Sequence, residues 1–175
     1  MPTCEVIFST LAEAHEDLLA YYRALTPEEL ESICTASEVP DGEPWRPKDH
    51  LAHLTLIEHA FQGMVRRTLK GSADPVGFSR TGATTREEIL AWIHRNNQAY
   101  VDAHRNDSLE TLLADLAHTR QETLTLLDQL TDEQLSLPLP GAPWGDGMVG
   151  GILMTNAHHE QQHLAWMQQG LHQVS

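Results

Sequence analysis

Eleven of the 175 residues are histidine, as many as lysine and arginine together. Histidine is the commonest metal ligand, so the first question is which of them converge. His159 and His163 stand at i and i+4. That spacing puts two side chains on one helix face, roughly 5–6 Å apart at their β-carbons. They belong to the series Ile152, Asn156, His159, His163, Trp166, positions that an inward-facing stripe normally fills with leucine. Two imidazoles so placed suit a single metal ion. The plainer alternative is a hydrogen-bonded pair in a polar core patch.

A metal site needs at least a third protein ligand. The stretch 47–70 offers His50, His53 and His59. Spacing alone does not choose between His50 and His53, whereas His59 points away from both. His15 lies beside the apolar positions Leu11 and Leu18, on a flank or behind a ligand. Asp49 and Glu58 face sideways in this reading, so the inward stripes offer no acidic fourth ligand. Residues 159–163 also read His-Glu-Gln-Gln-His, the H-E-x-x-H pattern of zinc proteases, in which Glu160 would be the base. The context argues against a protease. Gln169 stands where the longer motif continues to its next histidine, and strand signals for a peptide-binding sheet are almost absent. Glu160 is one position off the ligand face, so it is expected to orient His53 or His158, or to face solvent.

The elements that must position these residues read as helices. Apolar residues at helical spacing mark helices over about 5–25, 47–70, 85–104, 109–130 and 148–169. Gly71 and Gly170 look like C-terminal stops. Thr26-Pro27-Glu28-Glu29, Thr85-Arg86-Glu87-Glu88 and Thr131-Asp132-Glu133-Gln134 are capping boxes, the first and third opening one short turn each. Segments 36–47, 71–83 and 138–147 are rich in Pro and Gly and read as loops. In the 109–130 helix, Thr119, Arg120 and Thr123 interrupt the leucine stripe, as they would if they lined a cavity opposite the histidines. The pattern predicts an all-α antiparallel four-helix bundle forming one domain over 1–175, with the 85–104 helix on a flank or within the crossover.

Composition narrows the function. The formal charge of −14 opposes binding to nucleic acid or to an anionic membrane surface. No run of about 18 apolar residues suggests a transmembrane helix. The start of the chain lacks the basic and apolar regions of a signal peptide. Cys4 and Cys34 sit in no paired pattern, which fits a reducing, cytoplasmic setting.

Three stretches together resemble the DinB superfamily, the metal-binding helical bundles of the damage-inducible type. Trp45-Arg46-Pro47-Lys48-Asp49-His50-Leu51-Ala52-His53-Leu54 is similar to the family's opening of its second helix, with His53 as the family histidine. Asn96-Asn97-Gln98-Ala99-Tyr100 through Leu116 is similar to the middle helices, with an Asn-rich turn before a re-capped helix. His159-Glu160-Gln161-Gln162-His163 corresponds to the closing H-x-x-x-H. The resemblance implies a three-histidine site of His53, His159 and His163 holding nickel, zinc or another divalent ion, with waters completing the shell. His50 and His158 depart from the pattern as extra histidines beside the ligands. Some relatives are thiol-dependent transferases or isomerases, which implies a small-molecule substrate and a low-molecular-weight thiol. Family members often form homodimers, although no stripe here identifies an interface.

Two functions follow. The first is a metalloenzyme whose open three-histidine site supports thiol-dependent transfer or hydrolysis of a small molecule. The second is a non-catalytic stress-response or binding module with a structural or vestigial ion. The missing fourth ligand favours the open site. Among Trp45, Trp92, Trp144 and Trp166, the last is the best placed to line a pocket, one turn beyond His163.

Overall fold

The computed structural model describes residues 2–174, the side chain of Val174 excepted. It is all-α: α1 (Cys4–Ala24), α2 (Pro27–Glu31), α3 (Pro47–Leu69), α4 (Arg86–His104), α5 (Leu109–Asp128), α6 (Asp132–Leu135) and α7 (Val149–Val174). The three capping boxes form as the sequence predicts. Thr26, Thr85 and Thr131 each accept from a backbone N–H three residues on, and Glu29, Glu88 and Gln134 reach back. Among the described residues, β structure is limited to two isolated bridges, Thr35 with Trp45 and Pro138 with Met148.

Helices α1, α3, α5 and α7 enclose the core. Helix α1 packs on α7, α3 packs on α5 and α7, and α1 touches α5. The buried apolar residues fall into two clusters. One holds Ile7 and Leu11 of α1, Phe61 and Val65 of α3, Leu126 and Leu127 of α5, and Ile152 and Leu153 of α7. The other holds Leu18 and Tyr22, Leu51 and Leu54, Leu112 and Leu116, and Met167 from the same four helices. Residue order across the clusters shows α1 and α7 running one way and α3 and α5 the other. The 85–104 helix is therefore the crossover, since α4 returns the chain from the end of α3 to the start of α5 and lies against α3.

A charged layer separates the two clusters. Arg120 of α5 forms a bidentate pair with Glu58 of α3, at 2.8 and 3.0 Å, and donates to the Leu11 carbonyl at 2.7 Å. It also lies 3.1 Å from Glu160 of α7, which in turn meets His15 Nδ1 of α1 at 3.1 Å. Both carboxylates are buried. Each of the four core helices thus contributes one member. The polar gap on α5 finds its explanation here rather than in a cavity opposite the histidines. Gln62 of α3 donates to the Thr119 carbonyl and the Thr123 hydroxyl, and Arg120 pairs with Glu58. Asp49 is paired with Arg46 at the start of α3, and the Asp49 and Glu58 carboxylates are both buried rather than facing sideways.

Helix α7 does not stop at Gly170. It continues to Val174, because Gly170 serves close packing rather than termination. A β-carbon there would lie 1.8 Å from the Cys34 carbonyl oxygen. Only glycine lets the helix pass so near that backbone.

Candidate metal centre

Two helices and one loop assemble the site. Helix α3 begins with Pro47 at its first turn and with Asp49 accepting the Arg46 backbone N–H at 2.8 Å, which fixes where its inward face starts. That face then carries His50 and His53. Helix α7 carries His159 and His163 on successive turns. The loop is closed at its neck by the Thr35–Trp45 bridge, with Trp45 N–H donating to Thr35 and Thr35 N–H returning to Trp45. This turns the Trp45 side chain inward and holds Glu38 beside α4.

One potential ligand atom from each of His53, His159 and His163 lies within 4.8 Å of the other two. His53 Nε2 and His159 Nε2 face each other at 3.2 Å. The His53 ring is stacked on that of His163, with centroids 4.8 Å apart. Burial holds all three imidazoles neutral. It lowers His159 to about 4 and pushes His53 and His163 well below the ordinary histidine value, the neighbouring imidazoles adding to the last two shifts. Neutral imidazole is the form a divalent ion requires. The donor set fits such an ion.

His50 stands behind this trio. Its Nδ1 lies 2.7 Å from His163 Nδ1, and its Nε2 lies 3.0 Å from Thr35 Oγ1. Cys34 Sγ approaches the same Nε2 at 3.6 Å. Burial pushes the Cys34 thiol up to about 12, so it stays protonated. His50 is itself lowered to about 3, chiefly by burial. Engaged by His50, His163 has its Nε2 left for an ion.

Glu38 supplies the carboxylate that the inward stripes lack. Its Oε1 is 3.8 Å from His53 Nε2, and its Oε2 accepts from Asn97 Nδ2 at 2.8 Å and lies 3.4 Å from His94 Nδ1. Burial raises its pKa, against the lowering effects of Asn97 and His94. Trp45 closes another side. Its ring lies 5.0 Å from that of His53 and 5.2 Å from that of His50, and its Nε1–H donates to Gln98 Oε1. Asn97 and Gln98 therefore lie on α4, holding the loop, rather than in an Asn-rich turn.

A profile of the DinB superfamily matches residues 36–167, about three quarters of the chain. The chain belongs to the DinB superfamily. Among curated proteins there is no match. A crystal structure of an uncharacterised protein from Escherichia coli UTI89 is similar in fold, at 19% identity and a TM-score of 0.67, covering 97% of this chain and 94% of that one.

Within this DinB fold, the structure brings together the three histidines that the resemblance names. It places the remaining candidates elsewhere. His158 and His59 are exposed. Glu160 neither orients His53 or His158 nor faces solvent, because α7 turns it toward Arg120 and His15. Trp166 is 43% exposed and Met167 takes the core position, so Trp45 rather than Trp166 is the deeply buried wall, although the Trp166 ring still touches that of His163. Glu38 is the residue that reading for stripes missed. It sits in an irregular loop where no periodicity marks an inward position. Among the described residues, no helix is long and apolar enough to cross a membrane.

Proposed function

We propose that this DinB chain is a metalloenzyme with His53, His159 and His163 as ligands of a divalent ion, nickel, zinc or another. It would catalyse thiol-dependent transfer to, or hydrolysis of, a small molecule. The observation that carries this reading is the convergence of three imidazoles, those of His53 and His163 buried and that of His159 partly buried, with no fourth member in the cluster among the described residues. A divalent ion held this way supplies Lewis acidity and makes an adjacent thiol or water a nucleophile at neutral pH.

The chain's own residues do the rest. Glu38, beside His53 Nε2, accepts the proton that the nucleophile gives up, and Asn97 holds its carboxylate in place. Trp45 excludes water from one side of the three rings. His50 fixes the orientation of His163. In transfer, the thiol sulfur bonds to the electrophilic carbon, the leaving group departs with the bonding pair, and the thiol proton passes to Glu38. A small-molecule substrate with a low-molecular-weight thiol, no nucleic-acid or membrane partner, a cytoplasmic setting and a homodimer complete the proposal.

The test is metal content after purification and dialysis, followed by the visible spectrum of the cobalt form. Cobalt bands that move on adding azide or a thiol support an open, catalytic site. A spectrum inert to both assigns the ion a structural role in a binding module. A protein that takes up no divalent ion under any supplementation overturns the reading.

A further inference from the structure

A cavity of about 650 Å³ lies between the 36–44 loop and α4. That is within the roughly 300–1,000 Å³ range of small-molecule sites. Its α4 wall is one helix face, Ala91, His94, Arg95, Gln98, Ala99 and Asp102, at spacings of three and four. The two alanines leave the space that longer side chains would fill. The opposite wall is the loop from Glu38 to Gly42.

Glu38 belongs to both this groove and the histidine centre. One carboxylate oxygen is 3.8 Å from His53 Nε2, and the other lies beside His94, which lines the groove. A molecule in the groove therefore lies across one side chain from the three histidines. The groove also has a sign. Glu38, Asp41 and Asp102 set three carboxylates in the lining against one guanidinium, Arg95. Arg105 lies 3.8 Å from Asp102 and His94 3.4 Å from Glu38, which leaves Asp41 as the carboxylate with no cation beside it among these contacts. The chain as a whole, at −14, adds to the same field.

We propose that this groove binds a small molecule carrying an ammonium group and presents its other end to the histidine centre. This deepens the metalloenzyme reading and rests on it for the reaction, though not for the binding. An anionic molecule of the same size is disfavoured by the excess of carboxylates.

The experiment uses the full chain, metal-free and zinc-supplemented, with n-butylamine, n-butanol and butyrate as probes of equal chain length and different charge. Binding is followed by NMR through the backbone amides of Val39, Gly42, Ala91 and Ala99, with metal content measured on the same samples. The expected result is shifts confined to these residues, with n-butylamine binding at least about fivefold tighter than n-butanol and butyrate weakest. Asp41→Asn weakens amine binding about three- to fivefold and Arg95→Gln strengthens it, both side chains being exposed. Rising salt weakens it in every case. Equal binding of the three probes, preference for butyrate, or shifts elsewhere overturns the proposal. Amine preference in a protein that holds no metal keeps the groove and removes the enzyme. Stoichiometric metal without amine preference does the reverse.

Discussion

His50 Nδ1 and His163 Nδ1 lie 2.7 Å apart, so the two rings share one proton. Ligation of an ion through His163 Nε2 puts that proton on His163 Nδ1 and makes His50 the acceptor. His50 Nε2–H then donates to Thr35 Oγ1, 3.0 Å away. One tautomer satisfies the whole chain of contacts. His50→Ala is expected to lower metal affinity about 10–100-fold while leaving full stoichiometry at saturating metal. His53→Ala removes stoichiometric binding altogether, and His158→Ala changes nothing. Competition titration against a chromophoric chelator checks all three. Full affinity in His50→Ala would show that the 2.7 Å contact does not orient the ligand.

The metal-free protein should weaken as pH falls below about 6.5, the ordinary histidine value. Burial lowers His159 to about 4 and His50 to about 3, and it pushes His53 and His163 well below the ordinary value. Between those values and about 6.5 the unfolded chain binds protons that the folded chain refuses. Stability is therefore complete above that window and falls as pH drops through it. Thermal melts from pH 7.5 to 4 should show a decreasing midpoint, with unfolding near pH 5 taking up about three to four protons from these groups. A flat midpoint across that range would contradict the burial of the four rings.

Arg120→Met should destabilise the fold by about 3–5 kcal/mol, because it leaves Glu58 and Glu160 buried without their cation. Urea unfolding reads the change. The double variant Arg120→Met/Glu58→Gln should recover part of the loss, since one of the stranded charges is then gone.

Gly170→Ala should cost about 1–3 kcal/mol, since its β-carbon would meet the Cys34 carbonyl at 1.8 Å and backbone must move. A lowered midpoint in thermal denaturation is the expected result. An unchanged one would mean that α7 and the Cys34 segment separate at no cost.

What the sequence made legible was what is local. The capping boxes at Thr26, Thr85 and Thr131 formed because each is completed within four residues. His159 and His163 could be paired on paper because helix geometry alone sets their common face. His53 needed the family pattern, since His50 lies on an adjoining stretch of the same inward surface and is equally buried. The remainder depends on partners far apart in the chain. Arg120 is 62 residues from Glu58, and His15 is 145 from Glu160. Nothing near any of them signals the pairing. Gly170 carries the same lesson: its local signal reads as a stop, and a contact with Cys34 decides otherwise. Glu38 lies in a loop whose course is set by the Thr35–Trp45 bridge and by Asn97 and Gln98 of α4, none of which has a periodic signature.

The charged layer has a geometric consequence for the histidines. An apolar stripe alone tolerates a helix sliding along its neighbours by one turn, about 5.4 Å, because leucine meets leucine again. Here such a slip of α7 would carry Glu160 away from Arg120 and His15 and strand a carboxylate in the core, the costly case for a buried charge. Glu160 is the residue after His159. The cross-link that fixes the axial register of α7 is thus one position from the first of its two imidazoles, and the height at which they meet His53 is set by an arginine on α5.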